Sequence, residues 1–199
     1  MRVANWMAAC LLGAAVASGA AQMEAPKDPY AASDTGKPMA PAKALDAMLT
    51  LLETQLMSAA DVMPADKYSF APTPATFAAD SPAKFATVRT FAEELTHVAS
   101  ANYFFYSTVN ATKPPAAAKQ VDSLKTKEEI VAALKGSFAY AHAQIATITP
   151  ANAFLEIEGA DGMHTPATVA AFGVAHGYDH YGQVVEYLRM NGVLPAGSK

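Results

Sequence analysis

Cysteine is nearly absent. The 199-residue chain has one, Cys10, so no disulfide within the chain can hold a fold. Stability has to come from a core, and about 150 residues suffice for one domain that buries roughly 70% of its unfolded surface. Charge is sparse too: charged residues make up 16% of the chain, the formal net charge is −4, and Lys and Arg form no run. That leaves no electrostatic footprint for nucleic acid. No apolar stretch reaches the roughly 20 residues a spanning helix needs. No segment alternates with period two for long enough to be a convincing strand, and no internal repeat is found. Catalytic signatures are missing as well. The zincin helix needs Glu directly after its first His, and Gly177 follows His176. There is no Gly-x-Ser-x-Gly nucleophile elbow and no Cys-x-x-Cys-His for a c-type haem.

The N-terminus has its own logic. Arg2 provides a positive start, Trp6 to Val16 is apolar, and Ala17-Ser18-Gly19-Ala20-Ala21 is a small-residue cleavage zone. This order predicts a secretory signal peptide over residues 1–21, and hence a periplasmic or secreted protein. Cys10 raises a lipoprotein alternative, which the nine residues before it leave little room for. Cleavage removes Arg2 and the only cysteine, so the formal charge of the remainder is −5. No stable membrane insertion is expected after cleavage. Residues 22–40 mix Pro, Ala, Ser, Asp and Lys without apolar period and predict a disordered tether.

From Pro41 onward the period is helical. Leu45, Met48, Leu49, Leu52, Leu56 and Met63 form a stripe that starts at a first-turn proline and stops at Pro64. A long connection with several prolines follows, and Tyr68, Phe70 and Phe77 should fold it back onto the core. Thr90-Phe91-Ala92-Glu93 is a capping box opening a second helix, with Phe91, Leu95, Val98, Ala101 and Phe105 buried. Residues 111–125 read as a Pro/Ala/Lys loop. Thr126-Lys127-Glu128-Glu129 is a second capping box, and Ile130, Leu134, Phe138, Ala141, Ile145 and Ile148 hold the helical period after it. Residues 149–164 form another irregular connection in which Phe154, Leu155 and Ile157 are able to pack. Thr165 can cap a fourth helix with Pro166 in its first turn, and Asn191-Gly192 stops it. Four amphipathic helices joined by long Pro-rich connections predict an all-α, four-helix bundle over residues 41–199.

The fourth helix is unusual. Val169, Phe172, His176, His180, Gln183 and Tyr187 share one stripe, beside an apolar stripe of Ala170, Val174, Tyr181, Val184 and Leu188. Two imidazoles four residues apart face one direction and can share a metal ion. His97 adjoins the buried stripe of the second helix and can point the same way. The alternative is three structural histidines, each with its own hydrogen-bond partner. His142 and His164 are weaker third ligands, the former suited to a rim position with local hydrogen bonds, the latter to a loop. Gln183 is a candidate fourth ligand, and Asp179 a surface residue or a partner for an imidazole N–H. A ferritin-like di-iron site needs two Glu-x-x-His motifs, and only Glu94-Leu95-Thr96-His97 is present. Glu94, Asp179, Tyr103 and Tyr181 are candidate general bases. Glu186 and Arg189 look like an exposed ion pair.

The segment HGYDHYGQVVEYLRMNGVLPAGS resembles the C-terminal signature of DinB/YfiT-like proteins, in which two His four apart run into Gly-Gln, Tyr-Leu-Arg and Gly-x-x-Pro. VRTFAEELTHVASANYFF is similar to the segment carrying that family's first His, MPADKYSFAPT to its first-helix exit, and SLKTKEEIVAALKGSFAY to its third helix. The resemblance covers nearly all of 41–199. It implies a four-helix bundle holding one divalent metal, zinc or nickel first and manganese or iron next, through His97, His176 and His180. It further implies metal-dependent transfer of a low-molecular-weight thiol to a small molecule; the open position that three neutral imidazoles leave on a metal also allows a hydrolase, and the alternative is a non-catalytic metal carrier or structural bundle. Two features depart from thiol transfer: the export signal, and the lack of a basic cluster for an anionic thiol. A homodimer is compatible with the sequence.

Overall fold

The computed structural model describes residues 36–76 and 88–195. The signal-peptide segment, most of the tether and Phe77 lie outside the described residues. Within them the protein is all-helical, with α1 Pro41–Val62, α2 Phe91–Val109, α3 Lys127–Ile145 and α4 Pro166–Met190. None of these helices is long and apolar enough to cross a membrane.

Local chemistry sets the helix starts. Pro41 occupies the first turn of α1, and Pro166 that of α4. Thr90 and Thr126 accept from the backbone N–H of Glu93 and Glu129, whose carboxylates accept from the threonine N–H in return. Thr165 and Thr168 make the same reciprocal pair. Each cap contributes about 1 kcal/mol and fixes where its helix begins. Lys127, the first residue of α3, donates from Nζ to the carbonyls of Asp61 and Met63 at 2.6 and 2.8 Å. It thereby satisfies the exposed end of α1.

α1 lies against α3 and α4, and α2 lies against the same two helices. Leu49, Leu52 and Leu56 of α1, Phe91 and Leu95 of α2, Phe138 of α3 and Leu188 of α4 are fully buried between them. Each such side chain contributes roughly 1.5–3 kcal/mol by leaving water. The segment after α1 folds back as expected. The Tyr68 hydroxyl donates to the Ala60 carbonyl at 2.7 Å, and its ring meets Phe91 edge-on at 5.1 Å. Phe70 stands edge-on to Tyr187 at 5.6 Å.

Four expectations need correction. Residues 116–123 are a 3₁₀ helix rather than loop, anchored by buried Val121 and packed on α2. Val121 is the one large apolar side chain in its sequence AAAKQVDS, too little to announce it. Met48 is exposed, one position off the buried line of Leu49, Leu52 and Leu56. Ile148 is buried but lies past the end of α3, just after the turn that closes it. Phe154 and Leu155 are 75% and 60% exposed, while Ile157 does pack on the core.

Candidate metal centre

The α2–α4 seam carries the polar residues that the helical period places inward. On α2, Glu94 and His97 are three apart and share a face; on α4, His176 and His180 are four apart. The seam holds them closely. Tyr106 of α2 donates to the Ala170 carbonyl of α4 at 3.2 Å, and Gly173 makes room for its ring. A Cβ at Gly173 would lie 2.9 Å from Tyr106 Cζ.

The three imidazoles converge. The His97 ring centroid is 4.6 Å from that of His180 and 5.1 Å from that of His176, and those two rings are 4.6 Å apart. Each histidine offers a ring nitrogen, and these atoms all lie within 4.8 Å of one another, so the three could hold a metal ion. Nε2 of His180 and Nε2 of His176 are 3.3 Å apart. Ligand nitrogens about 2.0–2.1 Å from a tetrahedral ion are about 3.3–3.4 Å from each other. The pair therefore already has the separation an ion requires.

Glu94 is the residue sequence reasoning underweighted. Its Oε2 accepts from Nδ1 of His180 at 2.5 Å, with both side chains almost wholly buried, at 1% and 6% exposure. A proton on Nδ1 leaves the Nε2 lone pair facing His176, which is the tautomer a metal ligand needs. Asp179 is exposed, the surface residue of the two alternatives for it. The available signal for Glu94 was its position one turn before His97 on the same face.

The electrostatics favour neutral rings. Burial pushes the His97 pKa down, helped by Arg89 and by His180. Burial, then His180 and His97, push His176 down to about 4. Both rings are thus neutral near pH 7, and each has one nitrogen lone pair to offer. Phe105 stands edge-on to His176 at 5.2 Å and to Phe172 at 5.3 Å, shielding that side of the site.

The remaining candidates sort by geometry. Nε2 of Gln183 lies 3.5 Å from Nδ1 of His180, on the side of the ring away from Nε2 and too far for a good hydrogen bond. His142 is partly exposed and its bonds are not local: Nδ1 pairs with Asp46 at 2.5 Å and Nε2 with Glu53 at 3.0 Å, joining α3 to α1. His164 is an exposed loop residue. Tyr103 faces α3, its ring 5.5 Å from Tyr140, and Tyr181 packs beside Tyr178 at 6.2 Å. Glu186 and Arg189 form an exposed ion pair at 2.6 Å. A cleft of about 370 Å³ opens onto the His97 and His176 rings, bordered by Ser100, Ala101, Phe104, Phe105 and Asp161.

Residues 48–184 match the family model of the DinB superfamily. Comparison with the curated proteins yields no match.

Proposed function

This chain belongs to the DinB superfamily, and from that premise we propose that it is an exported metalloenzyme of the DinB-type four-helix bundle. It binds one divalent ion, zinc or nickel, through His97, His176 and His180, and acts on a small molecule as a hydrolase or thiol S-transferase. The observation that carries this reading is the meeting of three inward imidazoles, with facing nitrogens at metal-ligand spacing, at a cleft large enough for a small ligand.

A divalent ion in this position supplies Lewis acidity to a bound ligand. The chain's own residues do the rest. Glu94 fixes the His180 tautomer and ring orientation. Burial keeps His97 and His176 unprotonated. Phe105 and Phe172 exclude water from one side. The cleft admits a ligand from the other side.

Elemental analysis of protein purified without a polyhistidine tag tests the reading. One transition-metal ion per chain is expected, and metal-free protein that also fails to take up zinc or nickel in solution would refute it. Export is tested separately by the N-terminus of protein recovered from the cell: cleavage near Ala20 or Ala21 is expected, and an intact Met1 rules export out. The support for it is the charged, apolar, small-residue order of residues 1–21.

A further inference from the structure

The connection before α4 contains Gly159-Ala160-Asp161-Gly162-Met163. Ala160 and Met163 exchange both backbone hydrogen bonds, at 3.1 and 2.8 Å, across Asp161 and Gly162. Those two residues have φ of +49° and +80°, the consecutive left-handed pair of a type I′ turn, for which Asp-Gly is a favoured sequence. Gly159 admits no side chain, because a Cβ there would sit 1.6 Å from the Met163 carbonyl oxygen. The turn is thus specified by its backbone. What it holds out is Asp161, at the border of the cleft that His97 and His176 line.

The opposite wall comes from one stripe of α2. His97, Ser100, Ala101 and Phe104 follow one another at helical spacing, so imidazole, hydroxyl, methyl and phenyl succeed each other along the cleft. Phe104 is 51% exposed, an aromatic face left available at the mouth. Among the described residues no Lys or Arg borders the cleft, and Asp161 is the one carboxylate that does. That carboxylate makes no hydrogen bond or ion pair among the described residues. Asp161 is exposed and is not one of the three residues whose ligand atoms meet within 4.8 Å.

We propose that Asp161 is a specificity-determining residue that selects small ligands carrying an ammonium group on an apolar body of about phenyl size. The ammonium pairs with Asp161, the body lies against Phe104 and Phe105, and the far end turns towards the three imidazoles. The orientation of that far end rests on the metal reading above; the selection by charge does not.

The test compares 2-phenylethylamine with its neutral isostere 2-phenylethanol, by calorimetric titration near pH 7. Both metal-loaded and chelator-treated protein are used. Wild-type protein should prefer the amine by about fivefold, as a partly exposed ion pair allows, and the preference should shrink as salt is raised. Asp161→Asn keeps the turn, because Asn tolerates the left-handed backbone. It should abolish the preference while leaving alcohol binding and metal content unchanged. Phe104→Ala should weaken both probes alike. An amine preference that survives Asp161→Asn, no binding of either probe, or loss of metal from Asp161→Asn overturns the proposal. Protein that takes up no metal yet shows the Asp161-dependent preference refutes the metal reading alone. Metal-loaded protein without that preference refutes this one alone.

Discussion

Replacing Glu94 by Gln removes one charge at nearly constant shape. In the native site the carboxylate accepts from His180 Nδ1 at 2.5 Å, and it is 1% exposed. A Gln carbonyl can still accept that bond, but as a neutral acceptor it raises the basicity of the distal nitrogen less. Loss of such a partner typically weakens metal affinity 10–100-fold, which corresponds to about 1.4–2.7 kcal/mol. The metal-free protein should respond in the other direction. Burying an amide costs less than burying a carboxylate, so Glu94→Gln without metal should be at least as stable as wild type. The assay is competition for zinc against a chromophoric chelator, with thermal unfolding of metal-free and loaded protein alongside. The metal-induced rise in unfolding temperature should be smaller in the variant, because stabilisation by a ligand scales with the logarithm of its affinity. Asp179→Asn is the control, since that carboxylate is exposed. A Glu94→Gln affinity within twofold of wild type, in a folded variant, would mean that Glu94 does not orient a ligand.

Four further outcomes are expected. His180→Ala should lose bound metal while keeping its far-UV helix signal, because the apolar stripes hold the helices together; stoichiometric metal in the variant would remove the site from α4. Metal-free protein should lose stability as pH falls from about 6.5 towards 4. The unfolded chain takes up a proton on His176 in that window while the folded chain resists it, and urea titrations across the range measure the slope. His142 has the opposite sign: burial alone would lower its pKa, but Asp46 and Glu53 together raise it, so its contribution is full below about 6.5 and fades as pH rises through the raised value. His142→Ala should therefore cost about 0.5–1 kcal/mol near pH 6 and little at pH 9, with metal content unchanged, the size being held down by partial exposure of all three groups. Gly173→Ala should destabilise by about 1–3 kcal/mol despite better helix propensity, because the new methyl meets the hydrogen-bonded Tyr106 ring; a rise in unfolding temperature would contradict that packing.

What the sequence made legible was whatever its neighbours decide. Thr90 with Glu93, Thr126 with Glu129, and the prolines at 41 and 166 act within a turn of themselves, so the helix starts follow from reading in order. The His176–His180 pair is equally local, and His97 was within reach because its helix has a clear buried stripe. Partnerships across the chain were not legible. Glu94 and His180 are 86 residues apart, and His142 lies 96 and 89 residues from its two carboxylates. Nothing in a helical period selects one carboxylate over another at that distance. Phe154 and Leu155 failed differently: hydrophobicity says that a side chain gains by burial, not that a loop supplies a place for it. The Asp161-Gly162 turn is local, yet it came without the flanking strands that make Asp-Gly read as a hairpin.

The three imidazoles come from α2 and α4 alone. An ion held there would act as a cross-link between His97 and the α4 pair, closing a loop that contains the whole of α3 and the 3₁₀ helix. Such a cross-link resists only those partial openings that separate α2 from α4. α1 contributes no ligand and is fastened to α3 at its end by Lys127 and along its length by His142. Metal should therefore divide the amide hydrogens into two kinetic classes, slowing exchange most along the seam between α2 and α4 and leaving local fraying of α1 as fast as before.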